Sequence, residues 1–211
     1  MKRLLAPLFV FVLVLIPSPA SADVRAEFAL GILTVNGDRD GNAIVVECVN
    51  GNVRVNDAAP AGGSVRCTNV ESILVRGGDG PDRVVLSDVG RTAFDVLLEI
   101  GLFGESGNDT LIGSQLADRL DGGGGIDELR GGGGADKLYP GGGGGQVVGG
   151  SGRDTVTVSG GGLWTVDDDR ISRLDPVSEE TTLQSVEAVT VNGESGNDTV
   201  GAAAFSGRLV L

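Results

Sequence analysis

The chain has 211 residues, 29 of them acidic against 16 basic, a formal net charge of −13 and no histidine. Without an imidazole, Ser-His-Asp and Cys-His catalysis, HExxH zinc peptidases and histidine-ligated metals are excluded. The charge argues against nucleic acid, anionic membrane surfaces and polyanionic substrates, unless a bound cation bridges to them.

Residues 1–22 read as a secretory leader. Lys2 and Arg3 precede the apolar run Leu4–Ile16, and Ala20-Ser21-Ala22 is a small-residue cleavage site. The run is too short to span a bilayer, and no later segment is long enough, so no membrane insertion is expected. The expected product is a secreted, extracellular chain that starts at Asp23. Losing Lys2 and Arg3 takes its charge from −13 to −15. With one Trp and one Tyr, its core must be thin and made of Val, Leu and Ile.

Residues 23–103 form the first flank. Short apolar or alternating runs (Leu33-Thr-Val-Asn, Ile44-Val-Val-Glu-Cys, Val53-Arg-Val, Ile73-Leu-Val and Val84-Val-Leu) lie between Gly and Asn turns and predict strands. Asn50-Gly51 is a hairpin signal. Cys48 and Cys67 are the two cysteines. In an exported chain they favour one disulfide, worth about 3 kcal/mol by loop entropy, with two reduced buried thiols as the alternative. Asn36-Gly-Asp38-Arg-Asp40-Gly41, with Glu47 beyond it, approaches an EF-hand loop. Its flanks look like strands, so a decayed turn or plain hairpin is favoured.

From Gly104 to Thr157 the chain divides into six nine-residue blocks without insertion or deletion: GESGNDTLI, GSQLADRLD, GGGGIDELR, GGGGADKLY, PGGGGGQVV and GGSGRDTVT. Glycines crowd the first four positions. The sixth holds Asp109, Asp118, Asp127, Asp136 and Asp154, with Gly145 in the fifth block. The eighth is Leu111, Leu120, Leu129, Leu138, Val147 or Val156. If positions seven to nine form a short strand, the eighth side chain points to the core and the seventh outward. A flexible Gly/Asp linker does not hold such a phase over six blocks. A Gly-Gly-x-Gly-x-Asp-x-apolar-x repeat signals stacked parallel β-coils that bind calcium. Glycine turns aim their carbonyls inward, and Ca²⁺ takes six to eight oxygens from carboxylates and carbonyls, so each ion must be shared between turns.

Two outlying blocks resemble these. GGDGPDRVV at 77–85, with Asp82, lies three whole periods before Gly104; GESGNDTVG at 193–201, with Asp198, is out of phase by one residue. Neither has an evident stacking partner in the sequence, and both are candidate sites. Residues 158–211 form the second flank, with strands expected around Leu163-Trp-Thr-Val, Ile171 and Val186-Glu-Ala-Val-Thr-Val. Asp167-Asp168-Asp169 reads as a solvated turn, and the sequons Asn108-Asp-Thr110 and Asn197-Asp-Thr199 are the repeat's own turn. The flanks are related: Val70-Glu-Ser-Ile-Leu-Val and Val186-Glu-Ala-Val-Thr-Val each lead into a glycine turn with an Asp. No helix is expected. The fold class is all-β, a parallel β-roll or β-helix with a regular middle and degenerate β-coils on both flanks.

The blocks resemble the RTX family of hemolysin-type calcium-binding repeats. The resemblance implies that two blocks make one coil and that calcium lies between turns two blocks apart. Asp109 then pairs with Asp127, Asp118 with Asp136, and Asp136 with Asp154. The turn glycines Gly104, Gly107, Gly122, Gly123, Gly125, Gly131, Gly132, Gly134, Gly149, Gly150 and Gly152 complete the metal sites. About three good sites are expected; Gly145 weakens the one beside Asp127, and Leu116 disturbs the second turn. RTX proteins are typically exported with a C-terminal signal, and this chain departs from that pattern.

The function expected is a secreted, non-catalytic calcium-binding protein with Ca²⁺ as a folding cofactor. The alternative is a calcium-dependent carbohydrate-binding or surface-adhesion module, with Arg119 and Lys137 adjacent on an exposed sheet face. A β-helix lyase or epimerase is a third reading. The strand-like end at Val210-Leu211 makes pairing with another copy a further expectation.

Overall fold

The computed structural model describes residues 23–159, 163–167, 170–173, 179–184, 186–192, 199–201 and 206–210. The leader, Asp168, Asp169 and Asp198 lie outside them. The described residues form nineteen strands, no α-helix and a single 3₁₀ turn at Cys67–Asn69. They are β1 Arg25–Ala29, β2 Ile32–Asn36, β3 Ala43–Val49, β4 Asn52–Val55, β5 Ser72–Asp79, β6 Arg83–Val85, β7 Glu99–Ser106, β8 Thr110–Ile112, β9 Arg119–Asp121 and β10 Asp127–Gly134. After these come β11 Lys137–Tyr139, β12 Gly145–Gly152, β13 Thr155–Ser159, β14 Leu163–Asp167, β15 Arg170–Arg173, β16 Glu179–Gln184, β17 Ala188–Asn192, β18 Thr199–Gly201 and β19 Arg208–Val210.

From β5 to β13 successive strands alternate between two sheets, so two nine-residue blocks make one coil. The first sheet runs β1-β2-β5-β7-β9-β11-β13-β17-β19, the second β18-β14-β15-β16-β12-β10-β8-β6-β3-β4. Within the repeat every pairing is parallel and offset by eighteen residues, as with Leu111↔Leu129 and Leu120↔Leu138. The eighth-position side chains meet between the sheets. Val35, Val75, Leu102, Leu120, Leu138, Val156 and Val189 form one fully buried row, and Ile44, Val84, Leu111, Leu129 and Val147 face them. The glycine turns are themselves laddered: Gly124 N–H donates to Glu105 O and Gly142 N–H to Gly123 O, at 2.8 and 3.0 Å.

The flanks are not only parallel coils. β1–β2, β3–β4, β14–β15 and β15–β16 pair antiparallel. Two of these hairpins turn on left-handed dipeptides, Leu30-Gly31 and Asn50-Gly51, all four residues having φ between 52° and 83°. β1 and β16 carry no glycine-bounded apolar run, which is why their sequences did not announce strands. Cys48 and Cys67 form a disulfide with Cα atoms 6.1 Å apart. It ties β3 to the 3₁₀ turn at the N-terminal end of the stack.

Candidate metal centres

Position six builds two columns between the sheets, mostly of buried polar side chains; Gly145 carries none and Glu187 is exposed. Where the chain passes from the first sheet to the second stand Asn42, Asp82, Asp109, Asp127 and Gly145. Where it returns stand Asp118, Asp136, Asp154 and Glu187. Six backbone N–H groups in these columns donate to the next carboxylate. Asn42 binds Asp82 Oδ1 (2.6 Å), Asp82 binds Asp109 Oδ1 (2.8 Å) and Asp109 binds Asp127 Oδ1 (2.9 Å). In the other column Asp118 binds Asp136 Oδ1 (2.8 Å), Asp136 binds Asp154 Oδ1 (2.9 Å) and Asp154 binds Glu187 Oε2 (2.7 Å).

That ladder uses one oxygen of each carboxylate and strands the other. Oδ2 of Asp82, Asp109, Asp127, Asp136 and Asp154 is buried without a hydrogen-bond partner. Such an atom carries its full desolvation cost. Each of the first four shares a small space with the carbonyl of the first-position residue one coil on. A Cβ built on Gly77 would collide with Asp82 Oδ2 and Gly104 O; on Gly104, with Asp109 Oδ2 and Gly122 O; on Gly122, with Asp127 Oδ2 and Pro140 O; on Gly131, with Asp136 Oδ2 and Gly149 O. The first-position glycine is therefore required for room. The second and fourth positions take positive φ, as at Gly123 (φ 94°) and Gly125 (φ 137°), a conformation glycine adopts without steric cost and that Glu105 also holds at 75°.

Burial is the main force on these groups. It pushes Asp82 and Asp109 up to about 6 and Asp136 up to about 7, and raises Asp127 and Asp154 as well. The donated N–H bonds oppose this in part. The next carboxylate in the column adds to it at Asp82, Asp109 and Asp136.

Two turns depart from the pattern. In the second block neither Ser114 nor Leu116 has a positive φ, and the turn closes on itself. Ser114 N–H donates to Asp118 Oδ2 (2.6 Å) and Ser114 Oγ–H to Asp118 Oδ1 (3.0 Å). Asp118 is thus buried, pushed up to about 7 by burial, and satisfied. In the fifth block Gly145 offers no carboxylate, and Asp127 N–H turns to Gly144 O at 3.3 Å. Asp127 nevertheless keeps its stranded oxygen.

Asp82 does have a stacking partner, contrary to the sequence reading. β6 pairs with β8 and places Asp82 directly before Asp109 in the column. The separation is 27 residues because 86–98 form an enlarged return to the first sheet, burying Leu86, Val89, Phe94 and Leu97. Three whole periods between the blocks was the signal. One coil further out, Gly37–Val45 is a decayed block: Asp79 N–H donates to Asp38 O, and Asn42 occupies position six. Asp38 Oδ1 accepts the N–H of Asp40 (3.0 Å) and the amide of Asn42 (3.2 Å), while Glu47 pairs across to Arg54 in the β3–β4 hairpin. This is a repeat turn. The sequence did not flag Asn42, Glu187 or Ser114. Glu187 was foreshadowed only by the related strand at Val70-Glu71, whose glutamate instead lies over Gly31.

Among the described residues no three His, Cys, Asp or Glu side chains converge as a metal cluster. A cation here must be held by one or two carboxylates and backbone carbonyls, the donor set of Ca²⁺. The stranded oxygens and the room over the first-position glycines fit such an ion. Arg119 and Lys137 are neighbours on the outer face of the first sheet. The Arg119 guanidinium lies between the Tyr139 and Phe103 rings, 3.9 and 5.8 Å from their centroids, and bonds Asp121 at 2.9 Å.

Fold and site together define a parallel β-roll whose turns carry calcium-type donor columns. Residues 102–115 and 112–147 match the RTX calcium-binding nonapeptide repeat, in four copies. This segment is an RTX repeat array, and the ion such repeats bind is Ca²⁺. No curated protein and no solved structure matches the chain.

Proposed function

We propose that this is a secreted, non-catalytic calcium-binding protein in which Ca²⁺, bound between glycine turns, drives folding of the roll. One observation carries the reading: five buried aspartate oxygens have no hydrogen-bond partner among the described residues. Asp82, Asp109, Asp127, Asp136 and Asp154 supply carboxylates; Gly104, Gly122, Pro140 and Gly149 supply carbonyls. Asp118, closed by Ser114, serves the column through its backbone N–H. Without the ion, stacked carboxylates face one another in a dry interior and the glycine turns lose much entropy on ordering. Calcium supplies the opposite charge, so binding free energy becomes folding free energy. With affinity of about 10⁻⁴–10⁻³ M, as extracellular modules have, the chain stays loose during export and folds outside.

A far-UV circular dichroism titration of residues 23–211 with Ca²⁺, with Mg²⁺ as control, tests this. β-Structure should grow with Ca²⁺ alone. A spectrum unchanged between chelator and Ca²⁺, with no heat of binding, would sink it. A second reading adds an extracellular polysaccharide as partner. It is supported by a groove of about 240 Å³ lined by Leu98, Glu99, Arg119, Lys137 and Tyr139 among others. Retention on a polysaccharide column that Lys137→Ala leaves unchanged would remove that groove from consideration. Pairing between copies along β19, the outer strand of the first sheet, predicts a dimeric mass by light scattering in Ca²⁺.

A further inference from the structure

Position six of the returning turns changes character partway along the stack. Gly101 pairs with Arg119, so Ile100 stands one coil before Asp118 in the same column. Ile100 pairs with Ile73, and Ile73 with Leu33. The column therefore reads Leu33, Ile73, Ile100, Asp118, Asp136, Asp154, Glu187. The first three are 0–2% exposed, and each packs as ordinary core. An interior made by carboxylates in one half of the roll is made by aliphatic side chains in the other.

The rest of the first flank follows the same change. Seventeen buried apolar residues lie within 23–103, against six within 104–157. The enlarged return at 86–98 puts Phe94 and Leu97 where later coils have a glycine turn. The N-terminal end is also covered rather than open. Val53 N–H donates to Val65 O and Ala61 N–H to Ala26 O, at 2.8 and 2.7 Å, and the Cys48–Cys67 disulfide closes this segment. Asp82 is the one carboxylate of this flank that is buried, and its column ends in the neutral Asn42.

We infer that residues 23–103 form a calcium-independent folding template, and that the calcium-dependent coils add to it in order from β8 towards β13. This rests on the proposal that Ca²⁺ drives folding of the repeats. Apolar burial needs no ion and increases with the area removed from water. A coil of glycine turns and one Leu per block gains too little from burial to order alone, and must pair with an edge already formed. The edge offered is β7 in the first sheet and β6 in the second. The chain emerges from export in the same order, so the template exists before the first repeat needs it.

Hydrogen–deuterium exchange with peptide-level mass spectrometry on residues 23–211 tests the inference. In chelator, amides of β2, β3, β5 and β7 should exchange at least 100-fold more slowly than an unfolded chain. Those of β9–β13 should exchange at the unfolded rate until Ca²⁺ is added. Loss of protection everywhere in chelator, restored everywhere by Ca²⁺, overturns the template and leaves calcium-driven folding intact. Full protection everywhere in chelator overturns calcium-driven folding itself.

The direction of assembly is read from two variants. Asp109→Asn should raise the Ca²⁺ midpoint for protection of β10, β11 and β13 by about threefold or more, the signature of a weakened early step in a nearest-neighbour stack. Asp154→Asn should leave the midpoint of β8 and β9 unchanged. Equal shifts along the stack in both variants overturn the ordered assembly, with protection of β2 and β5 in chelator as the check that each variant still folds its first half.

Discussion

The turns at 113–118 and 122–127 are consecutive blocks of one repeat, yet they treat their aspartates in opposite ways. In the first, Ser114 gives its N–H and hydroxyl to Asp118 and the carboxylate is satisfied locally. In the second, Gly123 and Gly125 swing through positive φ, and Asp127 Oδ2 is left buried and alone. The residue at position two thus separates a buried carboxylate closed by its own turn from one left with an unpaired oxygen.

The largest effect should come from filling the space over Asp127. Gly122→Ala places a methyl against Asp127 Oδ2 and Pro140 O. Overpacking should cost about 1–3 kcal/mol and at least one bound Ca²⁺, measured by calorimetry and by thermal unfolding in Ca²⁺. Gly124→Ala is the control, since its Cβ meets nothing nearer than Glu105 O at 3.9 Å. It should bind the full complement.

Next come the carboxylates themselves. Asp136→Asn should lower the Ca²⁺ stoichiometry by one, whereas Asp118→Asn, already satisfied by Ser114, should leave it unchanged. Equal losses would erase the distinction between the turns. Ser114→Gly sharpens the comparison from the other side. It removes the hydroxyl and permits positive φ, so the variant should gain an ion or bind more tightly.

The smallest effect is with pH. The folded-state carboxylates at Asp82, Asp109 and Asp136 are raised to about 6 or 7, above the usual carboxylate range of about 4. The fold without calcium then favours their protonated forms. The stability they contribute is fully present below about pH 4 and is lost as pH rises through 6 to 7. In chelator, repeat protection should increase from pH 7.5 to pH 5. Ca²⁺ affinity should fall over the same interval, because protons compete for the same oxygens. Loss of apo structure on acidification would contradict this.

Much of the design was written in the period. An Asp and a Leu two apart, repeated every nine residues, fix the two columns, the core row and the alternation of sheets. The fifth and second blocks were legible as exceptions, though not what each exception does. Ser114's closure of Asp118 depends on a hydroxyl reaching forward over four residues, and serine at a turn has many other uses. Asn42 and Glu187 enter their columns through pairing across 40 and 33 residues, which only the stack reveals. The exchange of Asp118 for Ile100 was hidden for another reason. Ile100 falls on position six of the frame continued back from Gly104, but it is apolar and no glycine turn precedes it to mark a block.

The enlarged return at 86–98 shows what the stack counts. Between Asp82 and Asp109 lie three blocks' worth of residues but only one step of the column; the surplus went into a loop. Lengthening such an array by eighteen residues adds one storey of about 4.8 Å and preserves both columns. Lengthening it by nine would exchange the two sheets for everything downstream, unless the extra residues bulge out as they do here. This bend is therefore where the chain has room for added sequence without changing the height or the phase of its two carboxylate columns.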